Sequence, residues 1–500
     1  MVLPTFDLRD RPWLPVRVGL DTRHVGLRWL LSHAHEVDDL AVAIPPAATG
    51  LWRVLYALAA RITGLDDPDL SADEWTDLRL QVAERGRMDE SAVDAYLDRW
   101  AERFDLFHPE RPWLQDPRLS SECRKSAGVN KLVFDRPSGQ NQIWFGHFVD
   151  AALAPIGPAE AAWYLVAQHF HGAGGRCSTR TVGATTESNT KVGPLRGTVA
   201  YHPIGRTVFE SLLAGLPMAD REPDSDEPAD RCPWELDELP DPLGLPTPPT
   251  WPGGLLTGRS RHAVLLVPDH TGDHVVDVRL TWAWRQPSRP VDDPYLIRRR
   301  NKKDGTWYSQ PADATRALWR DLDALLHRSG TDVQRPAVML TCQALPFWQE
   351  IRLRAYGFDQ ETGQARDNQW YTAATPPVLR CAEERDPVAV QAIADFRDAA
   401  EQLESTLRYV LRKAWQQVSH LDKGPWPRRA AAYFWPRAET AFWRMVESGQ
   451  FKRDDQSLLE IAMAGIDHAV GTQDRLPRIA KAINEAKRRL AAAGRRREIA

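Results

Sequence analysis

Cysteine is scarce in this chain: five residues in 500, at positions 123, 177, 232, 342 and 381, with no CxxC pair. So scattered and odd a set supports neither an extracellular disulfide framework nor a zinc ribbon. No run approaches the roughly 18 apolar residues that a membrane-spanning helix requires, so no membrane partner is expected. The opening MVLPTFDLRDRPWLPVRV has no basic segment leading into an apolar one. A secretory signal is therefore not expected, and the expected location is cytoplasmic. The net charge of −4 excludes a uniformly basic, histone-like binder, but it leaves room for local basic patches, because contact depends on where charge sits. Tyrosine is half as frequent as tryptophan, ten against twenty. Many tryptophans stand beside prolines (RPWLP, CPWEL, GPWPR), a placement suited to locking loops onto a core.

Catalytic signatures are missing too. There is no GxxxxGK(S/T) phosphate loop, no HExxH and no GxSxG; the glycines at 172–175 run into Arg176 instead of a Lys-Ser/Thr pair. His169, His171 and Cys177 have no fourth ligand at metal-binding spacing. Asp38-Asp39 and Asp292-Asp293 read as caps or turns. The expectation is a chain that is not an enzyme and holds neither metal nor cofactor.

What the chain does contain is a stretch from His169 to Gly197, HFHGAGGRCSTRTVGATTESNTKVGPLRG, with six glycines, seven Ser/Thr and four basic residues. Arg176, Arg180, Lys191 and Arg196 face only Glu187 there. Glycine lets backbone approach a ligand without a Cβ in the way, and hydroxyls with Arg and Lys supply donors for phosphate oxygens. This reads as a loop lying against a nucleic-acid backbone, or else as a mobile surface loop. A second segment, 124–146, sets Arg124, Lys125, Lys131 and Arg136 around the apolar Leu132-Val133-Phe134, with Asn130 and Gln140–Gln142 supplying amides for base edges. Arg298, Arg299, Arg300, Lys302 and Lys303 cluster at a hairpin tip, and Lys481, Lys487, Arg488 and Arg489 make the last helix basic.

Periodicity predicts the elements. Trp13–Val18 alternates as part of an N-terminal strand pair with a turn at Gly19–Asp21. Short helix Val25–His33 precedes a buried helix over Ala47–Ile62, and Ser71 with Glu74 forms a capping box. Helices are predicted over Glu90–Phe104, Trp144–Leu153, Pro158–His169 and Ala314–Arg328. Strands are predicted over Ala263–Pro268, Val275–Trp284, Leu296–Arg300, Ala337–Thr341 and Ile351–Gly357, with Asn301–Gly305 a hairpin turn. Ten prolines between Pro217 and Gly254 argue against regular structure there. From Pro387 onward, four amphipathic segments ending at Leu421, Ser448, Val470 and Ala493 predict a four-helix bundle. The fold class expected is α+β: an irregular mixed α/β domain over residues 1–380, then an all-α bundle over 381–500.

In their order along the chain, FDLRDRPWLPVR, NKLVFDRP, the glycine stretch, LRGT, PYLIRRRNKKDGTW and the terminal bundle resemble CasA, the large subunit of the type I-E CRISPR surveillance complex Cascade. The resemblance implies a non-catalytic subunit that recognises the protospacer-adjacent motif (PAM) in double-stranded target DNA and begins strand separation. It also implies contact with the 5′ end of the CRISPR RNA and the other Cascade subunits, and recruitment of a helicase-nuclease. Carried over residue by residue, it puts DNA contacts at Asn130, Lys131 and Asp135, on the backbone of Gly172, Gly174 and Gly175, and at Arg279, where the family has a lysine. An aspartate beside phosphates is unfavourable, so Asn130 and Lys131 are expected to carry more of that contact. Gln364 and Ala365 are placed as the wedge that intrudes below the PAM. Arg176, Arg180, Lys191, Arg298, Arg299, Lys302, Lys481 and Arg488 are expected on the DNA backbone. Some members carry a zinc knuckle; with only Cys232 in that region, no zinc is expected here. Two other readings stay open, a scaffold whose loops are passive and a phosphate-binding enzyme built on the glycine stretch with His169 and His171.

Overall fold

The computed structural model describes residues 3–137, 148, 154–218, 229–287, 292–327, 330–360, 368–451 and 455–498. The chain divides into two compact units: Met1–Thr315 with Pro336–Leu379, and Arg316–Arg335 with Arg380–Ala500.

The first unit opens with strands β1 (Leu14–Val18) and β2 (Asp21–Val25), an antiparallel hairpin turning at Gly19, whose φ is +63°. Helix α1 (Leu27–Ser32) follows, then the short β3 (Asp39–Leu40), which pairs with β1. Helix α2 (Pro45–Thr63) starts on two prolines, which fit a first turn where N–H groups lack helical partners, and stops at left-handed Gly64. All its residues but Arg61 and Thr63 are buried, as an apolar pattern on every face requires. Its one interior charge, Arg53, is held by Asp293 at 2.8 Å.

The capping box forms as predicted at the start of α3 (Ala72–Arg85): Ser71 accepts from the Glu74 N–H, and Glu74 accepts from the Ser71 N–H. Next come α4 (Glu90–Arg99), the single turn α5 (Leu119–Glu122), and α6 (Pro158–His171). Strands β4 (Gly175–Val182) and β5 (Thr185–Thr190) form a hairpin, so the stretch read as a loop is mostly β-structure. Only Arg180 on β4 and Thr190 on β5 are buried, and a run of Gly, Ser and Thr does not announce itself as a strand.

Strand β6 (Val199–Ile204), α7 (Val208–Gly215) and the short α8 (Gly253–Thr257) precede the antiparallel pair β7 (His262–Pro268) and β8 (Val275–Trp282). Strands β9 (Arg298–Arg300) and β10 (Trp307–Ser309) flank the expected turn at Asn301–Gly305. Within the second unit, the segment predicted as one helix over Ala314–Arg328 is a 3-10 turn, Leu318–Asp321, then α9 (Leu322–Leu326). There the Asp321 carboxylate accepts from Arg316 Nε at 2.8 Å. Strand β11 (Val333–Gln334) follows. Ala337–Leu340, predicted as a strand, is a 3-10 turn behind Pro336; so short an apolar run does not separate the two by periodicity. Strands β12 (Arg352–Gln360) and β13 (Asn368–Ala374) join β6 in the antiparallel order β13-β12-β6. Helix α2 packs against α6, α7 and β12 and so lies at the heart of this unit. The helix predicted over Trp144–Leu153 lies outside the described residues except for Phe148.

The second unit is dominated by α10 (Pro387–Ser419), α11 (Pro425–Ser448), α12 (Asp455–Val470) and α13 (Pro477–Glu498). Asp386 caps α10 by accepting from the Ala389 N–H at 2.9 Å, and Pro425 and Pro477 open their helices. Helix α10 packs on α11, α12 and α13, and α12 packs on both α11 and α13, which makes the predicted bundle. Ile393, Leu403, Leu407 and Leu411 supply its buried stripe on α10. Trp319 enters the same core, stacked on Phe442 with ring centroids 4.8 Å apart.

Candidate nucleic-acid interface

Helix α6 and strand β8 organise the expected DNA-facing residues of the first unit. A 3-10 turn, Val129–Lys131, follows Gly128, whose φ of +78° turns the chain sharply. Strand β8 holds the start of this turn: the Ala127 N–H donates to the Val278 carbonyl at 2.7 Å, and the Gly128 N–H donates to Asp277 Oδ1 at 3.0 Å. Helix α6 holds its end, where Gln168 Nε2 donates to the carbonyls of Lys131 (3.2 Å) and Leu132 (2.8 Å). Asn130 is buried, Lys131 half-buried and Asp135 exposed. Asp135 Oδ1 accepts from the Tyr164 hydroxyl at 3.3 Å. Phe134 anchors the segment against Tyr164, Phe358 and Trp370. The amides Gln140–Gln142 lie outside the described residues.

The glycines do different work. A Cβ on Gly172 would lie 2.6 Å from both the Gln168 carbonyl and the His262 ring, so this glycine permits close packing. Gly174 likewise has no room, with a Cβ falling 2.9 Å from Val192 Cγ1. Gly175 is exposed, has φ +100° and nothing within 4 Å of where a Cβ would stand. It is the one of the three that offers open backbone to a ligand.

Four basic side chains in this stretch divide evenly. Arg176 and Lys191 are exposed. Arg180 is fully buried: its guanidinium meets Glu122 at 2.6 Å, Asp116 at 2.8 Å and the Trp282 carbonyl at 3.0 Å. The expectation that Arg180 touches DNA backbone is corrected here, because an arginine sealed between two carboxylates pins β4 to the body of the unit. Arg196 is also committed inward, donating to Gln360 Oε1 and the His171 carbonyl, both at 2.6 Å. Burial lowers its pKa to about 10.

Arg279 stands half-buried on β8, with Nε 3.3 Å from the Cys123 carbonyl. The same strand that steadies the Asn130 turn therefore carries this cation. Arg298 pairs with Asp292 and Arg299 donates to Gln310 at 2.7 Å, while Lys302 at the turn is exposed. In the second unit, Lys481 and Arg488 are exposed on α13. Gln364 and Ala365 lie outside the described residues, in the connection between β12 and β13.

The histidines are packed. His169 Nε2 donates to the Leu114 carbonyl at 2.7 Å and Nδ1 meets Ser260 Oγ at 2.6 Å. His171 stacks on Phe358, ring centroids 5.4 Å apart. Burial pushes their pKa values down to about 4 and about 3, so both are neutral near pH 7. Among the described residues, no three His, Cys, Asp or Glu side chains are grouped so as to hold a metal.

Residues 7–481 match the family model described as CRISPR-associated protein Cse1. The chain belongs to the Cse1 family. A curated relative, CRISPR-associated protein CasA/Cse1 of Thermus thermophilus, is 29% identical over 344 residues, 66% of this chain. That match spans 62% of the relative's own length, less than two thirds. A solved structure named CRISPR RNA-guided surveillance complex superimposes with a TM-score of 0.88 at 42% identity, covering 97% of this chain and 99% of that one. The structure of Thermus thermophilus CasA (Cse1) superimposes with a TM-score of 0.74 at 21% identity, covering 98% and 99%, and shares the fold.

Gln168 and Tyr164 are the positioning residues that sequence reasoning passed over. The signal was present: Gln168 is a polar side chain in the otherwise apolar run AAWYLVAQHF, and a buried amide requires partners.

Proposed function

We propose that this chain is the large subunit of a CRISPR RNA-guided surveillance complex and that it reads the PAM in double-stranded target DNA. The observation that carries this reading is the joint anchoring of the Asn130–Asp135 segment, the exposed Gly175 backbone and Arg279 on α6 and β8. Gly175 brings bare backbone to the minor groove, and Arg279 brings charge. Lys131 and Arg176 add phosphate contacts, which set register without reading sequence. Minor-groove contact separates A·T from G·C and little more, which suits a subunit that tolerates several motifs. Guide RNA pairing then reads the remaining sequence, as in guided recognition generally.

In this reading Gln364 and Ala365 wedge the first base step apart. Unstacking a step costs a few kcal/mol, offset by backbone contacts and by the start of heteroduplex pairing. The subunit works without catalysis of its own, in the cytoplasm, beside the 5′ end of the CRISPR RNA and the other subunits. It hands the opened target to a separate helicase-nuclease. The test is duplex binding by the RNA-loaded complex, with and without this chain, on targets differing only in the PAM. PAM-dependent binding that requires this chain and falls on Arg279→Ala supports the reading. Binding indifferent to the chain or to the PAM overturns it.

A further inference from the structure

We propose that Arg196 is the positioning residue that couples motif reading to strand opening, by holding the end of β12 against the glycine stretch. This role rests on the function proposed above and says how its separate parts are tied together.

Three segments with different work in that function meet at one ring, Phe358 on β12. His171, one residue before Gly172, stacks on it with centroids 5.4 Å apart and planes 15° apart. Phe134, from the Asn130–Asp135 segment, meets it edge-on at 5.9 Å. Trp370 on β13 stands 6.1 Å away, so both strands that flank the Gln364–Ala365 connection enter the cluster. Phe358 is 1% exposed. Rings packed to interior density have few alternative arrangements, so a shift in one is felt by the others.

Arg196 gives this cluster a direction. Its guanidinium lies over the Phe358 face, 4.4 Å from the centroid. From there Nη1 donates to the His171 carbonyl and Nε donates to Gln360 Oε1, both at 2.6 Å. Gln360 ends β12, four positions before Gln364; His171 stands four positions before Gly175. A planar guanidinium presents its donors in a rigid fork, so it fixes the two acceptors relative to each other.

The backbone around Arg196 is itself tied down. The Gly193 N–H donates to the Gly172 carbonyl at 2.8 Å and the Leu195 N–H to the Phe170 carbonyl at 2.9 Å. On the other side, the Phe358 N–H donates to the Thr198 carbonyl at 3.1 Å. A Cβ on Gly193 would fall 2.5 Å from the Phe170 carbonyl oxygen, so this approach requires glycine. Backbone displaced at Gly175 by a duplex is therefore carried through one side chain to the strand from which the wedge connection leaves.

The experiment takes two readings from each RNA-loaded complex: equilibrium discrimination between PAM and non-PAM duplexes, and the rate of opening from 2-aminopurine beside the PAM. Gln360→Leu removes the acceptor on β12 and leaves the contact to His171. It is expected to keep discrimination and to slow opening about tenfold, the effect of one lost hydrogen bond to a charged group. Gln360→Glu restores an acceptor as a carboxylate and is expected to restore opening. Arg196→Leu is expected to slow opening as well, and adding Gln360→Leu to it should slow opening no further, since both act on one contact. On a target already mismatched at the first step, every variant should open like wild type, which damage to the fold would not allow. Wild-type opening by Gln360→Leu, additive effects, or equal slowing on the mismatched target overturns the coupling while PAM dependence stands. A wild-type complex indifferent to the PAM overturns the proposed function and the coupling together.

Discussion

Gln168 on α6 donates to the Leu132 carbonyl at 2.8 Å and so fastens the end of the Asn130 turn to the helix that runs into Gly172. Two segments expected to meet DNA are thereby held by one buried amide, 3% exposed.

Gln168→Leu keeps the volume and removes both donors, leaving the Lys131 and Leu132 carbonyls unpaired by this side chain. Stability is expected to fall by about 1–3 kcal/mol, the cost of buried polar groups left without partners. PAM-dependent duplex binding is expected to fall with it. Chemical denaturation and duplex titration of the same preparation check both.

Arg180 and Arg176 sit on one strand and should part company on substitution. Arg180→Ala leaves Glu122 without its guanidinium partner and Asp116 with Arg118 alone, and breaking a buried ion pair costs about 3–5 kcal/mol. The predicted loss is therefore of folding, seen as a lowered denaturation midpoint. Arg176→Ala, on an exposed side chain, is expected to stay within about 0.5 kcal/mol of wild type. It should instead weaken duplex binding and flatten its salt dependence.

The contrast shows where sequence reasoning succeeds. Helices α10 to α13 were legible because their apolar residues recur over many turns and prolines open three of the four, at Pro387, Pro425 and Pro477, so local pattern and packing agree. The β7–β8 pair and the Asn301–Gly305 hairpin were legible for the same reason. Arg180 was not, since a basic residue in a Gly/Ser/Thr run has the same local sequence whether it faces water or Asp116, 64 residues away. The β4–β5 hairpin itself was hidden, because its strands lack the apolar alternation that identifies a half-buried sheet.

Acid should loosen the first unit before its carboxylates titrate. His169, His171 and His262 are held neutral by burial, with pKa values pushed down to about 4, 3 and 4, against about 6.5 in an unfolded chain. Between those values the unfolded state binds more protons, so stability falls as pH drops. The contribution is complete above pH 6.5 and is lost as pH falls toward 4, by about 1.4 kcal/mol per pH unit for each histidine. Urea midpoints at pH 7.5 and 5 check this. His171→Phe, which keeps the stack on Phe358, should shrink the difference; an unchanged difference in that variant would refute the assignment to His171.

The wedge prediction separates reading from opening. Gly175 and Arg279 contact intact duplex in the proposed mechanism, whereas Gln364 and Ala365 act only once a base step parts. Gln364→Ala combined with Ala365→Gly should therefore retain discrimination between PAM and non-PAM duplexes, within about threefold of wild type, because a wedge contributes little before unstacking begins. Strand opening, followed by 2-aminopurine fluorescence beside the PAM, should slow or vanish. Arg279→Ala should behave oppositely on a duplex already mismatched at the first step: weak discrimination, but opening restored once bound. Normal opening by the double variant would remove Gln364 and Ala365 from the mechanism and move the wedge to another element of the interface.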